Sequence, residues 1–296
     1  MGTQAYVSKR FGAESERLIA VMNTIITDYV AQGYRLTVRQ LYYQLVSRDV
    51  VPNTERSYKR VTSIVNDAKL AGLMDWEAIE DRTREFIRRT RWTSASEILR
   101  ASADSFHMDM WEGQEHRVFV IVEKEALAGV LERACKDFDV PLLAARGYPS
   151  GTVLREFCVS DVMDAISAEQ EVIILHLGDH DPSGIDMTRD LTERVALFSE
   201  KEIDLQRIAL TMLQIDKQKP PPNPAKATDA RFAGYSREYG NESWELDALQ
   251  PTYLDKLVRK HIREAIDKAT WDSRLKEIEG LRAQITKVAD NFVTTK

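Results

Sequence analysis

The 296-residue sequence has little cysteine and no long apolar run, and both shortages restrict where the protein works. Its two cysteines, Cys135 and Cys158, cannot form a disulfide framework, and so few cysteines are typical of the reducing cytosol. No window approaches the roughly 18 uninterrupted apolar residues of a membrane span. The N-terminal stretch also lacks the apolar core of a signal peptide. We therefore expect a soluble, cytoplasmic protein.

Proline and glycine are sparse as well, with 9 and 13 residues, and basic residues do not outnumber acidic ones. The 43% hydrophobic and 30% charged residues are an ordinary globular composition, which excludes a disordered or collagen-like chain. The 41 Lys and Arg against 47 Asp and Glu give a net charge of −6, which excludes a histone-like polycation. The length predicts more than one modest domain, at roughly 100–200 residues each.

The charge is unevenly distributed along the chain. Residues 1–100 contain 16 basic and 12 acidic residues, a balance of +4, whereas the remainder contains 25 and 35, a balance of −10. Five arginines crowd into ten residues opposed only by Glu85: Arg82, Arg84, Arg88, Arg89 and Arg91. Such a run is either a solvated helix face or a strip whose forked donors contact DNA phosphates. We treat these arginines as DNA-binding candidates.

Three amphipathic helices are predicted at the start of the chain. The first spans residues 15–32, where apolar side chains recur at the 3–4 spacing of one buried stripe. The second begins at Thr37, which has with Gln40 the spacing of a capping box. The third covers residues 54–71. Three short helices with a tight connection are typical of a helix-turn-helix or winged-helix unit, and whether residues 74–86 add a wing stays open.

From residue 117 onwards, apolar runs alternate with helical stretches of 10–15 residues. The predicted strands are VFVIVE, VPLLAAR, EVIILHLGD and LQRIALTML. The alternation predicts an α/β fold with a largely parallel sheet. The proline-rich residues 217–234 are expected to form a surface loop, and the chain beyond Pro251 to be helical. We divide the chain into a helical domain, 1–112, and an α/β domain with a helical C-terminal extension, 113–296.

Acidic residues follow two of the predicted strands. Glu123 ends the first, and Asp179 and Asp181 follow the third. Ligand sites of open parallel sheets lie at these strand ends, where three carboxylates repel one another unless a cation or proton intervenes. Mg²⁺ suits such a site because it takes oxygen ligands and bridges carboxylates to phosphates. Alternatively, the two aspartates cap the following helix. His180 lies between them with an open role, since the five histidines show no zinc-binding spacing.

A strand ending in Glu and a later strand ending in Asp-x-Asp resemble the Toprim domain of topoisomerases, primases and related nucleases. The sequence motifs are most similar to those of the topoisomerase VI A subunit and the meiotic double-strand-break transesterase. Four segments, within roughly residues 118–267, carry this similarity: IVEKEAL, RGYPSGTVLREF, GDHDPSGIDM and WELDALQPTYLDKLV. The resemblance implies an N-terminal winged-helix domain that binds double-stranded DNA and a Toprim domain that binds Mg²⁺ through Glu123, Asp179 and Asp181.

In that family a tyrosine on the winged-helix domain attacks DNA and becomes joined to its 5′ end. The family motif, an Arg followed four residues later by the second of two adjacent aromatics, matches Arg39 and Tyr43 here. Helical geometry agrees, because residues one turn apart share a face and Tyr43 lies on the order of 130° from the centre of the apolar stripe. We expect Tyr42 in the core and Tyr43 projecting outward beside the guanidinium. The alternative is an ordinary surface or interface tyrosine.

The resemblance implies a DNA-cleaving transesterase with Tyr43, Arg39 and Glu123 as catalytic residues. It also implies a homodimer in which the tyrosine and the carboxylates of one site come from different subunits. The sequence has no P-loop, so ATP-driven strand passage would require a separate ATPase subunit. One alternative is a Toprim nuclease that hydrolyses DNA without a covalent tyrosine intermediate, as in condensin-like defence systems with a condensin-like partner. Another is a catalytically inactive DNA-binding protein.

Overall fold

A computed structural model describes residues 3–80 and 90–291 of the chain, and its N-terminal part is helical. The helices before the first strand are Ala13–Ala31 (α1), Val38–Val46 (α2), Glu55–Leu70 (α3) and Ala95–Ser105 (α4). The capping box of α2 is confirmed, since the Thr37 hydroxyl accepts from the Gln40 amide at 3.2 Å and the Gln40 side chain accepts from the Thr37 amide at 2.8 Å. The first three helices thus follow the predicted spans within a few residues.

The α/β part contains a four-stranded parallel sheet with the order β2-β1-β3-β4. Its strands are His116–Val122 (β1), Leu142–Ala144 (β2), Glu171–Leu177 (β3) and Asp204–Ala209 (β4). Helical segments connect them: a short 3₁₀ turn Glu125–Leu127 with Ala128–Asp137 (α5), then Gly151–Phe157 (α6) with Met163–Ser167 (α7), and Pro182–Ser199 (α8). The predicted α/β class and the parallel sheet are confirmed.

The chain after β4 differs from the prediction in one place. The expected strand LQRIALTML ends at Ala209, because the Thr211 side chain accepts from the Gln214 amide and starts a helix there. The remaining elements are Met212–Gln218 (α9), Asn223–Pro224 (β5), Phe232–Tyr239 (α10), Glu242–Ser243 (β6), a 3₁₀ turn Leu246–Ala248, Pro251–Glu264 (α11) and Lys268–Asn291 (α12). Antiparallel pairing of β5 with β6 fixes part of the predicted proline-rich loop.

Apolar side chains form separate cores in the N-terminal helices and on the two faces of the sheet. Alternation along β1 directs Val120 to the face covered by α5 and α11, and Phe119 to the face covered by α6 and α8. The N-terminal core, which includes Met22 and Leu41, lies among α1, α2 and α3. Helix α4 packs against α12, so the predicted N-terminal domain, residues 1–112, contacts the C-terminal extension of the predicted α/β domain. The domain division at residue 112 stays a prediction.

None of the helices within the described ranges combines the length and the apolar composition that crossing a lipid bilayer requires. The longest, α12, has 24 residues, and its buried side chains are confined to Ile278 and Ala289. Its remaining surface is rich in charged residues. Helix α12 packs on α4.

Candidate active site at the strand ends

The register between β1 and β3 brings the first two predicted carboxylates together. Val122 pairs with Leu177, so Glu123 follows its strand beside Gly178. The Glu123 side chain accepts a hydrogen bond from the Asp179 amide at 2.9 Å. A Cβ on Gly178 would approach the Glu123 carboxylate to 3.1 Å, so the absence of a side chain there leaves room for the contact. The sequence prediction that these carboxylates meet at one edge of the sheet is confirmed.

Asp181 starts helix α8, as the capping alternative predicted for it. Its Oδ1 accepts from the Gly184 amide at 2.6 Å and from the Ser183 hydroxyl at 3.0 Å. Asp179 does not cap the helix, because its Oδ1 accepts from the Leu246 amide at 2.8 Å. The two aspartates therefore differ in role, and the Asp179 side chain connects the strand end to the segment after β6.

All five residues proposed as catalytic or metal-binding line one cavity of about 530 Å³. They are Arg39, Tyr43, Glu123, Asp179 and Asp181. The resemblance implied that the tyrosine and the carboxylates of one site come from different subunits. Within a single chain, side chains from α2 and from the ends of β1 and β3 line the same cavity.

The expected outward projection of Tyr43 is wrong. Only 4% of Tyr43 is exposed, and Tyr42 is equally buried. The apolar stripe correctly predicted the face of α2 that packs on α1 and α3. The opposite face, however, is covered by the 3₁₀ turn after β6. Tyr42 is in the N-terminal core as predicted, and its hydroxyl accepts from the Thr54 amide at 2.9 Å. Tyr43 faces the cavity instead of bulk solvent.

The environment of Tyr43 disfavours its phenolate. Burial and the nearby carboxylates of Glu245 and Asp247 raise the pKa of Tyr43 to about 12, which outweighs the opposing effect of Arg39. The Arg39 guanidinium lies over the ring, 5.9 Å from its centroid. A hydrogen bond from the side chain of Asn223 also favours the charged form. A positive charge added to this cavity would lower the pKa of the phenol.

Arg39 is one turn from Tyr43, as predicted, and is engaged by two carboxylates that the sequence analysis did not select. Its Nη2 lies 2.5 Å from Glu245, and its Nε lies 2.9 Å from Asp247. Burial lowers the pKa of Arg39, but the two carboxylates outweigh this effect and raise it above its usual value. The guanidinium thus stays charged and pairs with both carboxylates at the cavity wall.

Sequence reasoning also missed Lys124, whose ammonium group lies among three carboxylates. It is 2.9 Å from Asp179 and 3.1 Å from Asp247, and it contacts Glu245 directly. Burial opposes the charge, but these carboxylates raise the pKa of Lys124 above its usual value. Glu245 and Asp247 belong to the WELDAL segment quoted above, yet no periodicity connects that segment with residue 124. In the sequence, Lys124, Glu245 and Asp247 were indicated only by their position in the quoted IVEKEAL and WELDAL segments.

Arg207, on β4, supports the loop that bears the aspartates and was likewise not predicted. Its guanidinium donates to the carbonyl oxygens of Gly178, Asp179 and Gly184 at 3.0, 2.5 and 2.8 Å. It also donates to the Thr188 hydroxyl at 2.9 Å. Burial lowers the pKa of Arg207 despite the nearby carboxylates. Its donors hold the backbone of the loop, so it acts on the site through the position of Asp179.

His180 connects the two segments that carry the carboxylates. Its backbone exchanges hydrogen bonds with Trp244, at 2.8 and 2.9 Å, which places Glu245 beside Asp179. Its Nδ1 lies 2.9 Å from the Tyr235 hydroxyl. Burial, together with the charge of Arg207, lowers the pKa of His180 to about 4. At neutral pH this imidazole is uncharged, and the backbone of His180 joins the segment after β6 to the strand end.

The donor set fits a hard divalent cation. Glu123, Asp179 and Asp181 offer only carboxylate oxygens, the ligands that Mg²⁺ prefers. Burial, and repulsion from neighbouring carboxylates, raise the pKa of Glu123 and of Asp179 although Lys124 opposes the shift, so an added cation would favour their charged forms. In the part of the chain that the structure describes, no three acidic, His or Cys side chains are already arranged as a metal site. Lys124 and backbone amides engage oxygens of Asp179 and Glu123.

Four of the five arginines proposed to contact DNA, Arg82, Arg84, Arg88 and Arg89, lie outside the described residues. The fifth, Arg91, is exposed. In the comparisons with known proteins, no family model and no curated protein matches this chain.

Proposed function

We propose that this chain is a magnesium-dependent enzyme that breaks double-stranded DNA by joining it covalently to Tyr43. One observation carries the proposal: Tyr43, Arg39 and the carboxylates of Glu123, Asp179 and Asp181 line a single cavity. The similarity of four segments to the Toprim domain and the topoisomerase VI A subunit supports the same assignment. Under this proposal residues 1–112 are a winged-helix DNA-binding domain and residues 113–296 a Toprim domain.

The chemistry follows from the positions of the side chains. Glu123, Asp179 and Asp181 would hold Mg²⁺, which supplies positive charge that offsets the charge developing on the scissile phosphate. Arg39, fixed by its two carboxylates, would orient that phosphate. The Tyr43 oxygen forms a bond to phosphorus, the bond from phosphorus to the 3′ oxygen breaks, and the proton lost by the phenol is balanced by the proton that the departing 3′ oxygen takes up. The product is a 5′-phosphotyrosyl linkage that can be resealed.

A second candidate is hydrolysis of DNA by activated water in the same carboxylate site. The burial of Tyr43 and its pKa of about 12 favour this reaction, because a phenol with so high a pKa is a weak nucleophile at neutral pH. Tyr43 would then be a structural residue of the cavity wall. Both reactions require the same carboxylates, and they differ in whether protein is found attached to the cut end.

The experiment that separates them is covalent trapping. The full chain is incubated with Mg²⁺ and labelled double-stranded DNA, quenched in detergent, and analysed for protein joined to 5′ ends. Transesterification predicts adducts that disappear in Tyr43→Phe and persist in Tyr42→Phe, the adjacent tyrosine, which lines the same cavity but whose hydroxyl is hydrogen-bonded to the Thr54 amide. Free 5′-phosphate ends, formed equally by Tyr43→Phe, would establish hydrolysis instead. Asp179→Ala and Asp181→Ala should abolish cleavage under both reactions.

Partners of the chain also stay predictions. A homodimer, a separate ATPase subunit and a condensin-like partner are implied by the resemblance alone. A catalytically inactive DNA-binding protein is the remaining alternative, and Mg²⁺ that neither binds nor alters the melting temperature would favour it. Gene neighbours would separate the two partner classes, because a topoisomerase-type ATPase and a condensin-like operon are readily told apart.

A further inference from the structure

The ammonium group of Lys124 occupies a position that suits a metal cation. Three carboxylates from two distant segments converge on it: Asp179 after β3, and Glu245 and Asp247 after β6. Asp247 has no exposed side-chain surface, and Lys124 is 18% exposed. Buried carboxylates require a nearby positive charge, and here a side chain provides it.

Asp179 lies between two groups of carboxylates. On one side its amide binds Glu123, and on the other its Oδ2 contacts Lys124, which also holds Glu245 and Asp247. Many enzymes that cleave phosphate esters hold two metal ions about 3.5–4 Å apart. In this chain the second group of carboxylates already holds an ammonium group.

The charges of the site agree with a single ion. Four basic side chains lie at or beside the cavity: Arg39, Lys124, Arg207 and Lys226. Six carboxylates accompany them: Glu55, Glu123, Asp179, Asp181, Glu245 and Asp247. The formal balance is −2, which one divalent cation brings to zero. Without Lys124 the balance would be −3, and a single divalent cation would leave negative charge uncompensated.

We propose that Lys124 is a built-in cation that takes the place of a second divalent ion, so that the site binds one metal ion instead of two. This inference rests on the proposed metal-dependent function. It assigns a metal-excluding and positioning role to Lys124, whose charge holds Asp179, Glu245 and Asp247 together. The competing explanation is an ordinary ion pair that only fastens the segment after β6 to the sheet.

Counting bound Mn²⁺ distinguishes these explanations without any measurement of DNA cleavage. The full chain is stripped of metal with a chelator, and the number of Mn²⁺ ions bound per chain is measured by electron paramagnetic resonance in the absence of DNA. We expect one ion in the wild-type chain and two in Lys124→Met. The control is Lys226→Met, which removes an exposed lysine from the same cavity and should leave the count at one.

The two counts test different claims. A gain of one ion in Lys124→Met supports the role of Lys124, and an equal or lower count overturns it. A wild-type chain that binds no Mn²⁺ contradicts the proposed function, whatever the variant does. If Lys124→Met unfolds without metal, circular dichroism is followed during Mn²⁺ addition. Recovery of the fold with bound ions supports the inference, since binding to the folded state stabilises it, and failure to recover overturns it.

Discussion

Arg207 and the buried histidines, His176 and His180, stabilise the structure around the cavity, although none of them is a carboxylate or the proposed nucleophile. Arg207 donates to backbone oxygens on both sides of Asp179, and His180 joins the strand end to Trp244. Because each such group is buried with its partners, removing it leaves polar atoms without hydrogen bonds. At the scale of single residues, the site therefore depends on groups that do not take part in the proposed chemistry.

Arg207→Met should destabilise the fold and loosen the loop that bears the aspartates. The variant loses charge-assisted hydrogen bonds to buried carbonyl oxygens, and we expect the free energy of unfolding to fall by about 2–4 kcal/mol. Urea denaturation measures this change. The control is Arg189→Met on α8, where the arginine is 57% exposed and pairs with Asp186 and Glu193. An equal loss in both variants would contradict a special role for Arg207, because exposed ion pairs contribute little.

His176 should make stability depend on pH. Its side chain is fully buried, and burial together with the charge of Arg207 lowers its pKa to about 3. The folded protein keeps this imidazole neutral, whereas the unfolded chain binds a proton below about pH 6.5. Stability is thus fully present above pH 6.5 and is lost as the pH falls towards 3.

The measurement is the free energy of unfolding between pH 7 and pH 4. We expect its decline to be less steep in His176→Gln than in the wild-type chain, by about 1.4 kcal/mol per pH unit below pH 6. Parallel curves for the two chains would show that His176 does not titrate between the folded and unfolded states. The remaining decline in the variant would come from other groups, including His180, whose pKa is lowered to about 4.

At the scale of elements, the start of α8 is where helix and strand approach most closely. Gly184 lies in the first turn of α8, shortly after Asp179. A Cβ at this position would lie 2.2 Å from the Asp179 carbonyl oxygen. The Asp181 cap, which requires the Gly184 amide, fixes the direction of the helix. A side chain at this position therefore requires the start of α8 or the strand end to shift.

Gly184→Ala should force the helix away from the strand end. We expect a loss of about 1–3 kcal/mol in the free energy of unfolding, the range of overpacked sites, and weaker Mn²⁺ binding because Asp179 moves. Gly151→Ala at the start of α6 is the matched control, since no atom lies within 4 Å of a Cβ there. Equal stability of the two variants would contradict the close approach of α8 to β3.

At the scale of the whole molecule, one chain contains both halves of the proposed site. Helix α2 contacts the 3₁₀ turn after β6, and through it the N-terminal helices lie against the strand ends. This contact explains why Tyr43 is buried and why Arg39 reaches Glu245.

Mixing two inactive variants tests this arrangement. Tyr43→Phe and Asp179→Ala each lack one half of the site, and both should be inactive in covalent trapping. If each chain forms its own site, a mixture stays inactive at any ratio. Recovery of adducts in the mixture would show that the tyrosine of one subunit works with the carboxylates of another, as the resemblance implied. The wild-type chain at the same total concentration is the positive control.

The sequence by itself determined the local elements and the edge of the sheet at which the acids meet. The capping box at Thr37 and the strand ends at Glu123 and Asp179 depend on neighbouring residues, so periodicity and spacing suffice for them. It also predicted that Arg39 and Tyr43 share a helix face. These features follow from interactions within one element or between consecutive strands.

Only the tertiary structure decided which carboxylates hold Arg39 and Lys124, and which way Tyr43 faces. Glu245 and Asp247 lie more than 100 residues from Lys124, and their contacts depend on the path of the chain from β4 through β6. The burial of Tyr43 depends on the packing of α2 against that same segment. Helical periodicity describes one face of one helix, whereas the cover on the other face comes from distant residues. For that reason the charge balance of the cavity, and the position of the Lys124 ammonium group among the carboxylates, could be recognised only in the folded chain.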